Sequence, residues 1–118
     1  PTLDDNLGPG ITEALVRTAD LLRDDADALD GFANEFFAQV DPKNLEINDL
    51  ERLPKAIRSR VLRLAIYQAG APSGSLTAEH IEAAEALISN WHGQKEVSLP
   101  GNVKLLRNSG RIVLLAST

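Results

Sequence analysis

The spacing of the apolar residues changes near residue 92, and this change limits the folds open to the chain. Before it, apolar residues recur at the three-to-four-residue spacing of amphipathic helices; after it, they alternate with polar residues. The sequence therefore predicts a mainly α fold, a bundle of about four helices with a small C-terminal antiparallel β-hairpin or sheet. We expect a linker over residues 1–11, a helical domain over 12–91 and a small β appendage over 92–118.

The first predicted helix carries a heptad seam in two registers. The apolar series are Leu15, Leu22, Leu29 and Phe36, and Ala19, Ala26, Ala33 and Val40. Because alanine lets a neighbouring helix come close, the seam over residues 15–40 predicts packing against another helix. Thr12 is the expected N-cap of this helix, and Asp41–Pro42 is expected to end it.

Three shorter helices are predicted to follow. "NLEINDLERLP" indicates a connecting helix with Asn48 as its N-cap. The next helix is expected over Pro54–Ala69, closed by Gly70. Thr77 is expected to cap a final helix that continues to about Trp91.

The C-terminal segment predicts strands joined by tight turns. "KEVSL" is a candidate strand, and "LPGN" over residues 99–102 fits a type II turn. "VKLLR" and "RIVLL" flank "NSG", which predicts a three-residue hairpin loop. "RIVLLA" is apolar on both faces, so we expect this strand to pair with a further part of the chain.

Residues suited to catalysis are scarce. The chain has no cysteine, no glycine-rich phosphate loop, no GxSxG and no HExxH pattern, and its two histidines, His80 and His92, lie far apart in sequence. The aspartates of "RDDADALD" lack the spacing of a calcium loop and predict a solvated helix face. We therefore expect no catalytic residue, no metal site and no cofactor within these residues, and the chain alone is not expected to be an enzyme.

The location of the protein is predicted from what the sequence lacks. No apolar run is long enough to cross a bilayer, and the N-terminus has no secretory signal pattern. The sequence favours a cytoplasmic protein without membrane contact. "PTLDDNLGPG" reads as a linker, so we expect the chain to be part of a longer protein.

Charge is distributed unevenly along the chain. Residues 1–50 carry twelve acids and three bases, whereas residues 51–118 carry five acids and nine bases, so the net charge of −5 divides into −9 and +4. The second half is the part that a polyanion would meet. The nine bases there are the candidate RNA-binding residues: Arg52, Lys55, Arg58, Arg60, Arg63, Lys95, Lys104, Arg107 and Arg111.

Most of the first five bases fall on one side of a helical wheel. Lys55, Arg60 and Arg63 lie within about 80° of Arg52, and the predicted core face lies between about 100° and 180°. That core face comprises Leu53, Ile57, Val61 and Leu64, while Leu62 and Ile66 interrupt the basic side and Arg58 is off-centre. Such a helix could neutralise phosphates, or its bases could pair with the acidic first helix.

Two aromatic residues lie close to these bases in sequence. Tyr67 and Trp91 could stack on nucleobases, with His92 touching a phosphate or a base edge. An aromatic residue at the end of a helix is more often a core residue, however, and the sequence favours that interpretation for both.

Two long stretches carry a resemblance to a known family. "LERLPKAIRSRVLRLAIYQAGAPSGSLTAEHIEAAEALI" and "WHGQKEVSLPGNVKLLRNSGRIVLL" resemble the C-terminal, substrate-binding region of bacterial tRNA(Ile)-lysidine synthetases. The shared pattern is Leu-x-x-Leu-Pro-x-x-x-Arg-x-x-x-Leu-Arg, then a helix opening like "LTAEHI" and a glycine before "LPG". "ITEALVRTADLLRDDADALD" is similar to the long helix that follows the catalytic domain in that family.

The resemblance implies a role within a larger ligase. The parent enzyme would use ATP, with magnesium, to adenylate the wobble cytidine of an isoleucine tRNA before lysine displaces the adenylate. Its ATP-binding Ser-Gly-Gly-x-Asp-Ser loop belongs to an N-terminal domain, and these 118 residues contain no such loop. The chain would then be an accessory domain that binds tRNA and partners that catalytic domain.

Two alternatives come from other functional classes. The heptad seam of residues 15–40 could dock on another subunit or on the catalytic domain, which would make the chain a packing or oligomerisation module. A helix-turn-helix DNA-binding domain is disfavoured because the loop "GAPSGSL" is long and the helix that follows it is acidic.

Overall fold

The computed structural model describes the backbone of residues 11–116 and the side chains of residues 24–116. This part of the chain forms four α-helices and one four-stranded antiparallel sheet, which confirms the predicted mainly α class with a C-terminal sheet. The helices are α1 (Ile11–Phe37), α2 (Ile47–Arg52), α3 (Lys55–Ala69) and α4 (Ala78–Ser89). The strands are β1 (Asn44–Glu46), β2 (Glu96–Leu99), β3 (Val103–Asn108) and β4 (Arg111–Ala116).

Helix α1 packs against α3 of the same chain. Ala33 of the heptad seam is buried in the core, and Phe36 and Val40 pack against that core. The described part of the seam is therefore used within the chain, which gives no support to a docking module. The predicted cap at Thr12 and the seam positions before residue 24 lie outside the described side chains.

The connecting helix α2 begins earlier than the sequence predicts. Its N-cap is Glu46 rather than Asn48, because the preceding residues pair as a strand and the chain passes directly from that strand into the helix. The backbone N–H of Ile47 donates to the carbonyl oxygen of Gly110 at 3.0 Å, which joins the start of α2 to the β3–β4 turn.

Helix α4 confirms the predicted cap at Thr77 and corrects the predicted end. The His80 backbone N–H donates to Thr77 Oγ1 at 3.3 Å, and the Thr77 backbone N–H donates to His80 Nδ1 at 2.9 Å. His80 thus occupies the place that glutamate usually takes in a capping box. The helix ends at Ser89, so Trp91 lies beyond it rather than on its apolar stripe.

The strand order of the sheet is β1-β4-β3-β2. Strand β4 therefore lies between β1 and β3, which confirms that "RIVLLA" pairs with a further part of the chain. That further part is the three-residue strand β1, which is too short for the apolar spacing to predict. Only one face of β4 is buried, since Ile112 and Leu114 lie in the core whereas Leu115 on the other face is 52% exposed.

The turn between β3 and β4 is shorter than expected. Asn108 pairs with Arg111, so the loop comprises Ser109 and Gly110 rather than the three residues of "NSG". Both loop residues have positive φ, 52° and 79°, as a two-residue hairpin turn of the primed type I requires. The right-handed twist of the strands favours this turn over a longer loop.

A single cluster of buried residues connects the helices to the sheet. Leu62 and Ile66 of α3, Leu87 of α4, and Leu105 and Ile112 of the sheet are among its largest members, each less than 2% exposed. The boundaries at residues 11 and 91 stay a prediction. Among the described helices, none has the length and apolar character that a membrane crossing requires.

Candidate nucleic-acid interface

Helix α3, which carries four of the nine candidate bases, is buried over a wide arc. Its buried residues are Val61, Leu62, Ala65 and Ile66. The helical-wheel prediction that Leu62 and Ile66 interrupt a basic surface is therefore wrong: both are 0% exposed. The buried arc is wide because α3 packs against α1, α4 and β4.

Arg58 lies inside this buried arc. Its Nε donates to Glu85 Oε2 of α4 at 2.8 Å, and the two side chains are 11% and 3% exposed. Its Nη1 donates to the carbonyl oxygens of Leu50 and Leu53 at 3.4 and 3.1 Å. The guanidinium therefore joins α2, α3 and α4, and an external phosphate has little access to it.

These contacts give a physical reason for part of the family pattern. In Leu-x-x-Leu-Pro-x-x-x-Arg, the leucines are Leu50 and Leu53 and the arginine is Arg58. The arginine bonds to the carbonyl oxygens of both leucines across the α2–α3 junction, where Pro54 is the N-cap of α3. The spacing therefore encodes a helix–helix connection.

Arg60 and Arg63 border the groove between α1 and α3. Arg60 Nε donates to Asp30 Oδ1 of α1 at 2.7 Å, and Arg60 Nη1 donates to the Ala56 carbonyl oxygen at 2.8 Å. The groove has a volume of about 310 Å³ and is also lined by Arg63 and Tyr67. The predicted pairing of basic and acidic helices thus occurs at Arg60, which faces an aspartate of the first helix.

Arg52 and Lys55 form an exposed basic pair of residues at the α2–α3 junction. Arg52 is the last residue of α2 and Lys55 is the first residue of α3. Lys55 Nζ lies 3.4 Å from Glu82 Oε2, and both of these side chains are at least 60% exposed. Exposed pairs of this kind contribute only about 0–1 kcal/mol, so a phosphate can replace the carboxylate.

Two further bases lie on the outer face of the sheet. Lys104 Nζ is 3.4 Å from Glu96 Oε2, and Arg111 Nη2 is 3.6 Å from Glu46 Oε2. The register places both on the face opposite to the buried Leu105 and Ile112. All four charged side chains are between 42% and 51% exposed, which leaves these bases open to a ligand.

Arg107 and Lys95 lie near the end of α4. Arg107 Nη1 donates to the carbonyl oxygen of Leu87 at 2.8 Å, and its guanidinium carbon lies 4.3 Å from the centroid of the Trp91 ring. Lys95 is exposed. Trp91 is 48% exposed, so its predicted place in the core is wrong. Tyr67 is half-buried and packs against the core, and its hydroxyl accepts from the Leu76 backbone N–H at 3.4 Å.

The candidate bases therefore divide into interior and surface groups. Arg58 is held in the interior, whereas Arg52, Lys55, Lys95, Lys104 and Arg111 are exposed and Arg60, Arg63 and Arg107 are half-buried. Glu85 is the structural residue that the sequence reasoning missed. Its signal was its spacing, four residues after Ile81 and three before Ile88 on the buried side of α4, where an acid requires a buried partner.

Metal ligands do not cluster in the described part of the chain. No group of three or more histidine, aspartate or glutamate side chains there is arranged to hold a metal ion. The aspartates Asp24, Asp27 and Asp30 are exposed or point to solvent along α1, with Asp30 engaged by Arg60.

Comparison with known proteins identifies the family to which this chain is similar. A family model described as the TilS substrate binding domain matches residues 45–113. Two bacterial proteins named tRNA(Ile)-lysidine synthase are close in sequence. That of Thermobifida fusca (strain YX) is 51% identical over 118 residues, covering 98% of this chain and 36% of that protein. That of Streptomyces coelicolor is 49% identical over 116 residues, covering 97% of this chain and 33% of that protein.

The match includes most of the described architecture. It begins at Leu45 in β1 and ends at Val113 in β4, so it contains the Arg58–Glu85 pair and the Trp91–Arg107 stack. The chain spans about a third of the length of the curated relatives it matches. Because the family model matches more than half of the residues, the chain belongs to the TilS substrate-binding domain family.

Proposed function

We propose that this chain is the accessory tRNA-binding domain of a tRNA(Ile)-lysidine synthase. The observation that carries the proposal is the match of residues 45–113 to a substrate-binding domain, with relatives named tRNA(Ile)-lysidine synthase that extend well beyond the matched region. The substrate of an enzyme so named is a tRNA. The exposed bases described above provide a surface chemistry suited to such a polyanion.

The chemical step is proposed to take place elsewhere in the parent protein. The parent would be a cytoplasmic ATP-dependent ligase that converts the wobble cytidine of an isoleucine tRNA to lysidine. Because the 118 residues contain no Ser-Gly-Gly-x-Asp-Ser loop, we assign ATP and its magnesium to the parent's N-terminal domain. The partners of this chain are then the tRNA and the parent's N-terminal catalytic domain.

The task of this chain is to position the tRNA by contacting the phosphate backbone of the RNA. The deep groove of A-form RNA is closed to side chains, so lysine and arginine side chains on a rigid scaffold contact the phosphates instead. Arg52 and Lys55 suit this task because they lie on adjoining helix ends that the buried Arg58 holds together. Lys104 and Arg111 offer a second set of contacts on the sheet.

The salt dependence of tRNA binding tests this proposal. Removing one cation that neutralises a phosphate should reduce the slope of log K against log salt by about 0.7–0.9. The double variant Arg52→Ala/Lys55→Ala is therefore expected to bind an isoleucine tRNA transcript more weakly, with a slope shallower by about 1.5. Fluorescence anisotropy of labelled transcript, measured between about 50 and 200 mM KCl, gives both quantities.

Lys43→Ala is the matched control for this experiment. Lys43 is also exposed, but it lies in the acidic first half of the chain, before the match to the family model begins. We expect this variant to keep the slope of the unmodified chain. An Arg52→Ala/Lys55→Ala variant with unchanged affinity and slope would show that the α2–α3 junction does not contact the tRNA.

A further inference from the structure

The segment after α4 presents an aromatic ring to solvent in a fixed orientation. Trp91 Nε1 donates to the carbonyl oxygen of Gln94 at 2.9 Å. The Gln94 side chain in turn accepts from the His92 backbone N–H at 2.7 Å and donates to the Asn90 carbonyl oxygen at 3.3 Å. These local hydrogen bonds hold the loop around a ring that remains 48% exposed.

The ring is also fixed from one side by a cation. The guanidinium carbon of Arg107 lies 4.3 Å from the centroid of the Trp91 ring, within the range of a cation–π contact. Arg107 cannot easily move away, because its Nη1 donates to the carbonyl oxygen of Leu87 in the last turn of α4. An arginine at that end also suits the negative pole of the helix macrodipole.

We propose that Trp91, backed by Arg107, is a stacking platform for an unpaired RNA base. This inference rests on the proposed tRNA-binding function and adds the part of the RNA that this surface recognises. Because the guanidinium lies over one face of the indole and Trp91 is 48% exposed, we assign the planar ligand to the opposite face. Base–aromatic stacking needs a base that is itself unstacked, as in a loop or at an end.

The charges beside the ring favour a nucleotide as that planar ligand. Lys95 is exposed and directly precedes Glu96, which pairs with Leu106, the neighbour of Arg107 in β3. His92, which follows Trp91 directly, is also exposed. Lys95 is thus the exposed base nearest in sequence to the ring, and we assign it to the phosphate of the stacked nucleotide.

The fluorescence of Trp91 tests the platform directly, because it is the only tryptophan in the chain. The 118-residue chain is titrated with an unstructured RNA decamer and, separately, with a blunt-ended RNA duplex of the same length. A base stacked on the indole changes its emission. We expect the decamer to quench the fluorescence and the duplex, whose bases are stacked on one another, to leave it nearly unchanged.

Three variants test whether binding of the decamer requires an aromatic ring at position 91. Trp91→Leu is expected to weaken binding of a labelled decamer by about 5- to 150-fold, while Trp91→Phe, which keeps a ring, retains most of the affinity. Phe32→Leu is the matched control, because Phe32 is 57% exposed but lies on α1. It should leave the affinity unchanged. Thermal unfolding reports whether the Trp91→Leu variant is folded. If this variant is unfolded, the fluorescence titration of the unmodified chain decides whether a base stacks on Trp91.

The outcomes distinguish this inference from the proposed function. If labelled tRNA and the decamer bind while Trp91 fluorescence stays constant, the platform is wrong and the tRNA-binding function stands. If the fluorescence responds to the parent's N-terminal domain and not to RNA, Trp91 is a protein contact and the inference is also overturned. If no RNA binds at any salt concentration, the proposed function itself is contradicted.

Discussion

Arg58→Ala is expected to lower the free energy of unfolding by about 3–5 kcal/mol, the cost of leaving a buried charge without its partner. Glu85 is only 2% exposed, and its Oε2 accepts from Arg58 Nε at 2.8 Å. The other oxygen, Oε1, has only the longer hydrogen bond from Ser89 Oγ at 3.4 Å. The Leu53 carbonyl oxygen also loses the Arg58 donor, whereas that of Leu50 keeps the hydrogen bond from the Leu53 backbone N–H at 3.1 Å. Urea denaturation followed by circular dichroism measures this loss.

Lys55→Ala is the matched control, because it removes a positive charge from the same helix. Lys55 is 60% exposed and its pair with Glu82 is open to solvent, so the loss should stay within about 1 kcal/mol. The double variant Arg58→Met/Glu85→Leu should recover most of the stability, since replacing a buried ion pair by apolar residues is often close to neutral. An Arg58→Ala variant as stable as Lys55→Ala would mean that the ion pair does not hold the helices.

Arg58→Lys separates a structural role from contact with phosphate. A phosphate accepts either cation, so an RNA-contacting arginine tolerates lysine in part. The guanidinium of Arg58 instead meets three fixed acceptors, two of them through a single nitrogen and the third through Nε. An ammonium group cannot reproduce that arrangement, so Arg58→Lys should be destabilised despite keeping its charge.

The sequence predicted the parts of the fold that local signals specify. The helices α1, α3 and α4 and the strands β2, β3 and β4 all lie within a few residues of their predicted positions. Their apolar spacing, the cap at Thr77 and the turn residues act over short distances along the chain. Strand β1 was missed because three residues are too few to show an alternation. It forms because β4, distant in sequence, needs a second partner.

Arg58 shows why the candidate site was harder to predict than the fold. The helical wheel took Arg52 as its reference, but Arg52 belongs to α2 and Leu53–Pro54 separates it from α3. The wheel also assumed one core face, whereas α3 has neighbours on several sides. A basic residue can then lie at the centre of the buried arc, provided that another helix supplies an acid. That acid, Glu85, is 27 residues away in sequence.

Trp91 was misplaced for a different reason. Its spacing continues the apolar stripe of α4, but the helix ends at Ser89 and Asn90 is the C-cap. Trp91 lies two residues beyond the helix, so the conformation of the loop, rather than the helical spacing, sets the orientation of its ring. The exposure of the ring depends on the hydrogen bond to Gln94 and on the stack with Arg107. The spacing of apolar residues in the sequence predicts neither contact.

Gly101→Ala is expected to lower the free energy of unfolding by about 2–5 kcal/mol through two separate effects. Gly101 lies in the turn between β2 and β3 with φ of 80°, a conformation that costs a residue with a Cβ roughly 1–2 kcal/mol. A Cβ there would also lie 2.7 Å from the Gly70 carbonyl oxygen and 2.9 Å from Pro72 Cδ. The turn therefore packs directly on the loop that follows α3, and an added methyl must separate the two. Denaturant unfolding measures the total.

Gly110→Ala isolates the effect of the backbone conformation. Gly110 lies in the neighbouring β3–β4 turn with φ of 79°, nearly the same as that of Gly101, but no atom lies within 4 Å of an added Cβ. Its substitution should therefore cost only the conformational part, and the difference between the two variants measures the close approach of the turn to the loop after α3. That difference should be about 1–3 kcal/mol, the usual cost of overpacking. Equal losses would mean that the loop over residues 70–72 yields to the methyl group, so the contact between sheet and helices would not depend on a glycine at this position.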